Sequence, residues 1–229
     1  LVANRGEIAI RLIRAIQELG YEAIAVYETP DEMSRHIRIA DEAILLGDGP
    51  RCDYLDIEKI IRAAKKSGAC AIHPGYGFLA ENPVFAKACA TEGIVFIGPT
   101  AEVIYNLGNK VIARRIMAEA GIPMVPGTQN LKQGKEGIAD ALAFATEYGY
   151  PIMLKATSGG GGRGIRRIET DADMKAQIPV ARAEALAAFN DDSVYLEKVV
   201  INPKHVEVQI LADSGGKTVH LGTRDCSIQ

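Results

Sequence analysis

The stretch PIMLKATSGGGGRGIRRIE, residues 151–169, decides how the second half of the chain folds. An apolar run leads into Lys155, and five glycines follow within the six positions 159–164. Together these glycines destabilise the folded state by about 2–5 kcal/mol, because each leaves the unfolded chain more entropy to lose than alanine would. Such a run is typical of a loop whose backbone N–H groups approach a phosphate closely. We predict a strand, a glycine-rich loop and a second strand at residues 165–168.

The glycine spacing argues against two common phosphate loops. Gly159, Gly161 and Gly164 fit a GxGxxG pattern, but no helix start signal follows them, as a dinucleotide-binding fold requires. The chain also lacks the GxxxxGK[ST] signature of a P-loop. With a lysine on the first strand, the arrangement indicates a flap over the phosphates of a nucleotide, as in the glycine loop of protein kinases. A floppy surface loop is the alternative.

Two lysines are candidate phosphate ligands. Lys155 ends an apolar strand, where a compact ammonium group can reach phosphate oxygens. Lys110 begins a predicted helix, where its charge opposes the helix dipole and a phosphate contact would account for it. For Lys155 the ordinary alternative is a strand-end lysine that packs its aliphatic stem and holds its charge in water. For Lys110 the alternative is a lysine without a ligand.

Composition limits the class of protein. The 229 residues carry a net charge of −3 and no basic run, which argues against nucleic-acid binding. Four cysteines lie far apart without a CxxC pair, as is typical of reduced thiols in the cytoplasm. No apolar run approaches the length of about 18 residues that indicates a membrane span. The chain begins with Leu1 inside a predicted strand and ends at Gln229 after a motif-like RDCSIQ, so we expect a fragment.

The first half alternates short apolar strands with helices. This pattern predicts a doubly wound α/β domain with a mostly parallel sheet over residues 1–108. The Pro/Gly-rich segment 121–129 indicates a linker or hinge. The rest of residues 109–229 predicts an α+β, largely antiparallel domain. Its predicted elements after the glycines are a helix capped by Asp171 and strands at 193–200, 205–212 and 218–221.

Further candidates come from residue type and position. Alternation in strand 193–200 places Glu197 and Lys198 on opposite faces, and an edge strand there could offer backbone groups to a purine. A solvated strand end is the alternative. His205 begins the next strand, where a lone histidine is more often structural than a ligand.

Two features of the first half remain open. Glu28 ends a strand where a dinucleotide-binding fold places its ribose-binding acid, but without the glycine fingerprint we interpret it as a solvated strand end. The motif HPGYGFLAEN at 73–82 follows a parallel strand. A ligand-binding edge and a structural turn explain it equally well.

Several motifs occur together and in one order: ANRGEIAIR (3–11), HPGYGFLAEN (73–82), KATSGGGGRGIR (155–166), NPKHVEVQ (202–209) and RDCSIQ (224–229). Together they resemble the biotin carboxylase component of biotin-dependent carboxylases, over essentially the whole chain. The resemblance implies a Rossmann-like pre-ATP-grasp domain at 1–108. It also implies the N-terminal part of an ATP-grasp domain at 109–229, with a mobile lid at about 127–200.

The reaction implied by this resemblance is the ATP-dependent carboxylation of biotin by bicarbonate, through carboxyphosphate. By resemblance, Lys110 and Lys155 contact the ATP phosphates, and His205 lies at the nucleotide site. The resemblance also implies glycines that close over the phosphates and strand residues that line the adenine pocket: Gly159, Gly160, Gly161, Gly162 and Gly164, and Glu197, Lys198, Val199 and Val200. The implied partners are bicarbonate, a biotin carboxyl carrier protein or domain, a carboxyltransferase and a second copy in a homodimer.

The chain departs from the family pattern in two residues and at its end. Asn109 and Thr223 stand where the family usually has Asp and Glu. In the family, the segment after RDCSIQ supplies the Mg²⁺-binding glutamates and the residues that complete catalysis. We therefore assign no metal ligand or catalytic residue here, and we expect this chain alone to be inactive, with apolar surface exposed near 206–221. The alternatives are another ATP-grasp ligase, such as a carbamoyl-phosphate or purine-pathway enzyme, and a catalytically dead nucleotide-binding module.

Overall fold

The structure is a computed structural model that describes residues 1–47, 52–158 and 164–228. Its contacts divide the chain into two compact units, Leu1–Ala113 and Arg114–Gln229. The helices are α1 Gly6–Glu18, α2 Arg35–Ile39, α3 Ile57–Ser67, α4 Pro83–Thr91, α5 Ala101–Gly108, α6 Lys110–Glu119, α7 Gly134–Tyr148 and α8 Asp171–Phe189. The strands are β1 Ile24–Glu28, β2 Glu42–Gly47, β3 Ala71–Ile72, β4 Val95–Phe96, β5 Ile152–Ala156, β6 Ile165–Ile168, β7 Val194–Lys198, β8 Val206–Ala212 and β9 Thr218–Asp225.

The first unit is built on parallel strands, as the alternating pattern predicts. Strand β1 pairs with β2, and β3 pairs with β4, both in parallel. Val2 joins the two pairs through parallel bridges to Ala25 and His73. The N-terminal residues therefore lie in the middle of the layer, between β1 and β3. This arrangement confirms the mostly parallel, Rossmann-like first domain.

Successive residues of a strand point to opposite sides of the layer. Because these strands are apolar throughout, both faces of the parallel layer are apolar. Val2 and Ala25 pack with Ile13 of α1 in one buried cluster. Their neighbours along the strands, among them Val26, pack in a second cluster with Ile60 of α3 and Phe85 of α4. Burial on both faces explains why these strands read as continuous apolar runs in the sequence.

The motif at 73–82 is held as a turn by Asn4. The Asn4 side-chain amide donates hydrogen bonds to the carbonyls of Pro74 and Tyr76, both at 2.8 Å. Gly75 has a positive φ of +67°, and a Cβ there would lie 2.8 Å from the same Asn4 amide nitrogen. Glycine is required at this position by both conformation and space. These contacts favour the structural turn over the ligand-binding edge.

A buried polar cluster follows the carboxyl end of β1. Asp31 is 5% exposed and accepts hydrogen bonds from Arg5 and from the Tyr54 hydroxyl, the latter at 2.7 Å. The Arg5 hydrogen bonds lower the pKa of Asp31 to about 2, and burial raises the pKa of Tyr54. Glu28 accepts the backbone N–H of Tyr54 at 3.2 Å. Glu28 ends β1, as the sequence predicts, but it is half-buried and hydrogen-bonded to this cluster, so its carboxylate is not fully solvated.

Replacing Asp31 by Asn is expected to lower the free energy of unfolding at pH 7 by about 1.5 kcal/mol. This value is at the low end of the range for hydrogen bonds to charged groups, because the Arg5 side chain is half exposed. The pKa of Asp31 is lower in the folded chain than its usual 3.8. Its contribution is therefore present above that value and lost as the pH falls towards 2. The difference between wild type and variant, measured by urea unfolding, should shrink between about pH 4 and pH 2.

The matched control is Glu32→Gln, since Glu32 is the exposed neighbour of Asp31. We expect the free energy of unfolding of this variant to lie within about 0.5 kcal/mol of the wild-type value at every pH. A constant difference between wild type and Asp31→Asn from pH 7 to pH 2 would contradict the assignment of the ionised Asp31.

The second unit contains an antiparallel sheet in the order β6-β5-β7. Its core side is covered by α7 and α8, with Leu154, Ile168 and Leu196 among the buried residues. Helix α8 is capped by Thr170, whose hydroxyl accepts the N–H of Asp173. The sequence predicts Asp171 as the cap, but its carboxylate instead accepts a hydrogen bond from the Tyr150 hydroxyl at 2.7 Å. The antiparallel prediction for this half is confirmed.

Strands β8 and β9 form an antiparallel hairpin with a largely exposed apolar surface. Val206, Val208, Ile210, Leu211 and Leu221 are each more than half exposed. This agrees with the apolar surface expected near residues 206–221. Strand β9 continues four residues further than the predicted 218–221. In the described part of the chain, none of the helices has the length and apolar character of a membrane span.

Candidate functional site

Lys155 and Glu197 lie on one face of the β5–β7 pair. Lys155 is directly opposite Tyr195, and Met153 is opposite Glu197, so Lys155 and Glu197 are diagonal neighbours on that face. The Lys155 ammonium donates to Oε2 of Glu197. Their side chains are 25% and 16% exposed. The opposite face of β5 carries Leu154 into the core, so this strand supports both the core and the charged site.

Glu197 has a second cationic partner, Arg114. Nη1 of Arg114 donates to Oε1 of Glu197 at 2.8 Å, and Nη2 donates to the carbonyl of Val125 at 2.6 Å. The two carboxylate oxygens are thus shared between a lysine and an arginine. Sequence reasoning missed Arg114, because no local pattern connects residues that are 83 positions apart.

The segment 125–128, predicted as a linker or hinge, lies alongside β7. Lys198 donates its N–H to the carbonyl of Pro126, and Thr128 donates its N–H to the carbonyl of Leu196, both at 2.9 Å. Gly127 bridges to Glu197 in antiparallel register. Strand β7 is therefore covered on both sides along these residues, and the N–H of Lys198 is already used within the protein.

The side chain of Lys198 points away from Glu197. Its ammonium donates to the carbonyls of Gly149 and Tyr150, at 2.9 and 3.1 Å. The prediction that the two charges lie on opposite faces is confirmed. Val199 donates its N–H to the carbonyl of Pro151 at 3.3 Å, and Val200 is half exposed. Lys198 thus fastens the C-terminal end of α7 to the sheet through its side chain.

Hydrogen bonds hold the residues on either side of the glycine loop, whereas residues 159–163, with the candidate glycines at 159–162, lie outside the described residues. At the first end, the Ser158 hydroxyl donates to Asp191 at 2.6 Å. At the other end, Gly164 accepts the N–H of Ala156 at 2.9 Å. A Cβ on Gly164 would lie 2.9 Å from that of Ala156, and its φ is +71°. The strands on either side pair antiparallel, as predicted.

Lys110 lies in the first unit, as the first residue of α6. Asn109 caps this helix, because its side-chain oxygen accepts the N–H groups of Val111 and Ile112, both at 3.1 Å. Asparagine and aspartate cap helices about equally well. The departure from the usual Asp is therefore compatible with the same helix start.

His205 directly precedes β8 and is exposed. The backbone N–H of His205 donates to the Ser227 hydroxyl at 3.0 Å, and its backbone carbonyl accepts the N–H of Cys226 at 2.7 Å. Among the described residues, the hydrogen bonds of the β8–β9 hairpin stay within the hairpin and its flanking residues. They do not link His205 to Lys155 or Glu197.

Comparison with known proteins assigns each half of the chain to a family model. Residues 1–104 match the biotin carboxylase N-terminal domain, and residues 109–229 match the ATP-binding domain of the carbamoyl-phosphate synthase L chain. Biotin carboxylase of Pseudomonas aeruginosa is 50% identical over 231 residues, which cover 100% of this chain and 51% of that protein.

Solved structures also match the whole chain, and two of them serve as examples. Biotin carboxylase from Campylobacter jejuni, in a β,γ-ATP complex, is 43% identical with a TM-score of 0.94. The biotin carboxylase domain dimer of 2-oxoglutarate carboxylase from Hydrogenobacter thermophilus, solved with MgADP, ADP and bicarbonate, is 48% identical with a TM-score of 0.92. These chains are covered to 51% and 50%.

The chain thus spans about half the length of the curated relatives that it matches. Within that half, the match runs through both structural units and covers positions 155 and 197. The ATP-grasp assignment of the second unit agrees with its antiparallel sheet and with the strands that flank the glycine loop. The chain belongs to the biotin carboxylase family.

Proposed function

We propose that this chain forms the nucleotide-binding part of an enzyme that carboxylates biotin with bicarbonate at the expense of ATP. Bicarbonate is activated as carboxyphosphate, and a ureido nitrogen of biotin takes up the carboxyl group. The observation that carries the proposal is the match to biotin carboxylases at about 50% identity through both units. The paired lysine and glutamate beside the glycine loop support it chemically.

The proposed domains are a pre-ATP-grasp domain at 1–108 and part of an ATP-grasp domain at 109–229, with a lid at about 127–200. The two family models, which end and begin at residues 104 and 109, support this division. The contact-based boundary between Ala113 and Arg114 lies slightly later. Helix α6 contains that boundary, so part of the helix belongs to each unit by contacts.

Lys155 and Lys110 are the proposed ligands of the ATP phosphates, since an ammonium group forms strong charge-assisted hydrogen bonds to phosphate oxygens. Lys155 is suitably placed beside the loop, and its charge is balanced by Glu197 until a phosphate arrives. The proposed cover over the phosphates consists of the loop glycines: Gly159, Gly160, Gly161, Gly162 and Gly164. Their backbone N–H groups suit this role because they can approach an anion without a Cβ in the way.

Glu197, Lys198, Val199 and Val200 are proposed to line the adenine pocket. Each carboxylate oxygen of Glu197 has two lone pairs, so it can accept a further hydrogen bond from an amino group of the base. The N–H groups of Lys198 and Val199 bond to Pro126 and Pro151. We therefore assign their contribution to carbonyl oxygens and apolar surface. His205 is proposed to lie at the nucleotide site on the basis of the family motif.

Magnesium accompanies ATP in the proposed reaction, and we assign no residue of this chain as its ligand. No group of three or more His, Cys, Asp or Glu side chains gathers among the described residues in a way that could hold a metal ion. The roles proposed above therefore rest on lysine and backbone groups, and no step is assigned to a protein-bound metal.

The proposed partners are a biotin carboxyl carrier protein or domain, a carboxyltransferase and a second copy in a homodimer. The dimeric relative from Hydrogenobacter, with MgADP and bicarbonate, supports the homodimer and the small-molecule substrates. We propose a cytoplasmic location, supported by four cysteines that are all free thiols.

A second candidate is a different ATP-grasp ligase, because the model that matches residues 109–229 is described for carbamoyl-phosphate synthase. The biotin carboxylase match over residues 1–104 favours the first candidate. The two differ in the nucleophile that accepts the activated carboxyl group, which is biotin in the first candidate and an amine in the second.

The test uses a protein of the relatives' full length that contains this sequence. We expect ADP release that requires bicarbonate and increases with free biotin. ADP release that requires an amine and does not change when biotin is added would favour the second candidate. ATP binding without turnover under either condition would instead support a catalytically inactive nucleotide-binding module.

A further inference from the structure

Arg114 makes two bonds that tie Glu197 to the segment 125–128. Its guanidinium donates to Glu197 and to the carbonyl of Val125 at 2.8 and 2.6 Å. The Arg114 and Glu197 side chains are 20% and 16% exposed, so the pair is shielded from most of the solvent. A guanidinium can donate in two directions at once, which suits it to bridge a carboxylate and a carbonyl.

Gly127 makes room for this guanidinium. A Cβ at position 127 would lie 2.8 Å from Nη2 of Arg114 and 2.8 Å from the carbonyl oxygen of Leu196. The neighbouring residues Pro126 and Thr128 hold the segment on β7 through backbone hydrogen bonds. The position of Arg114 is therefore specified from two sides, by the carboxylate and by the closely packed backbone.

This arrangement matters because Glu197 also binds Lys155. If Lys155 moves to a phosphate, its bond to the carboxylate weakens or breaks. A largely buried carboxylate that loses its only cation is destabilised, because water does not replace the lost partner. Glu197 retains Arg114 on its other oxygen and so keeps a cation when Lys155 leaves.

We propose that Arg114 is a positioning residue that allows Lys155 to exchange Glu197 for the phosphates of the nucleotide. The proposal rests on the proposed function, because it requires that Lys155 is a phosphate ligand. Arg114 need not touch the nucleotide. It holds Glu197 in place and supplies the positive charge that the carboxylate needs after the exchange.

A measurable signature follows from the competition between Glu197 and phosphate for Lys155. Without Arg114, Glu197 depends on Lys155 alone and holds it more tightly against the incoming phosphate. Nucleotides with phosphates should then bind more weakly, whereas adenosine, which does not compete for Lys155, should be affected much less. Replacing Glu197 by Gln removes the charge that holds Lys155, so in that background the loss of Arg114 should no longer matter.

The test compares four proteins of the relatives' full length: wild type, Arg114→Met, Glu197→Gln and the double variant. Isothermal titration calorimetry gives the dissociation constants for ATP and for adenosine. Arg114→Met should weaken ATP binding about tenfold, the size expected for one charge-assisted interaction, and adenosine binding less than threefold. In the Glu197→Gln background, the same change should weaken ATP binding by less than about twofold.

Two further variants separate positioning from general structure. Arg115→Met alters the next arginine of α6, which is 64% exposed and lies 3.9 Å from Glu119. We expect this variant to bind ATP with wild-type affinity. Arg114→Lys keeps the positive charge beside Glu197 but loses the second donor direction, so its loss of ATP affinity should be smaller than that of Arg114→Met. A loss in Arg114→Lys as large as in Arg114→Met would contradict a role for the charge.

Equal losses of ATP affinity on removing Arg114 from the wild type and from the Glu197→Gln variant would overturn the proposal, as would equal losses for ATP and adenosine. Wild-type ATP affinity in Arg114→Met would overturn it as well, while leaving the proposed function intact. A wild-type protein that binds no ATP would overturn the proposed function, and this inference with it.

Discussion

Lys155→Gln is expected to weaken ATP binding roughly 10- to 100-fold in a protein of the relatives' full length, because charge-assisted hydrogen bonds contribute about 1.5–3 kcal/mol. Glutamine keeps most of the side-chain length and can still donate a hydrogen bond, but it removes the positive charge. The free energy of unfolding should change little, because Glu197 remains paired with Arg114 at 2.8 Å. The measurement is a calorimetric titration with ATP, combined with urea unfolding of the same preparation.

The control for this variant is Lys175→Gln, which removes an exposed charge from α8. It should bind ATP as wild type does. If Lys155→Gln also binds ATP as wild type does, Lys155 is an ordinary strand-end lysine paired with Glu197, and its assignment to the phosphates is wrong.

Leu154→Ala, one position earlier, is expected to lower the free energy of unfolding and to leave the ATP affinity nearly unchanged, the reverse of Lys155→Gln. Leu154 is fully buried and lies on the central strand of the β6-β5-β7 sheet, where it packs in the core of the second unit. Removing a buried leucine side chain leaves a cavity and lowers the free energy of unfolding by about 2–5 kcal/mol. In urea, the unfolding midpoint should fall clearly, while the ATP affinity of the molecules that remain folded should change little.

Ile165→Ala serves as the control for packing, because Ile165 lies on the neighbouring strand β6 and is 41% exposed. Its loss should lower the free energy of unfolding by less than about 1.5 kcal/mol. If Leu154→Ala is no more destabilising than Ile165→Ala, the alternation of core and site along β5 is incorrect.

Much of this architecture is predictable from local sequence patterns. The alternation of apolar strands and helices predicts the parallel first unit, and the runs on either side of the glycines predict the β5–β6 pair. Opposite faces for Glu197 and Lys198 follow from the two-residue period of a strand. Lys155 is predicted as a phosphate ligand from its position between an apolar strand and the glycines, which is also a local feature.

The missed features depend on contacts between distant residues or on a choice between similar local signals. Arg114 meets Glu197 only after the chain has folded, and Glu28 finds the N–H of Tyr54 in the same way. Proline and glycine at 121–129 predict a linker, yet the backbone of 126–128 pairs with β7. Thr170 and Asp171 are both good capping residues, so composition alone did not identify which of them caps α8.

We propose that ATP binds beside Lys155 and under the glycine loop. Hydrogen exchange measures it most directly, with and without saturating ATP, in a protein of the relatives' full length that contains this sequence. We predict slower exchange with ATP in peptides that cover residues 156–166, and unchanged exchange in α3, at residues 57–67. If saturating ATP leaves exchange at 156–166 unchanged while calorimetry shows that ATP binds, the nucleotide does not lie under the glycine loop.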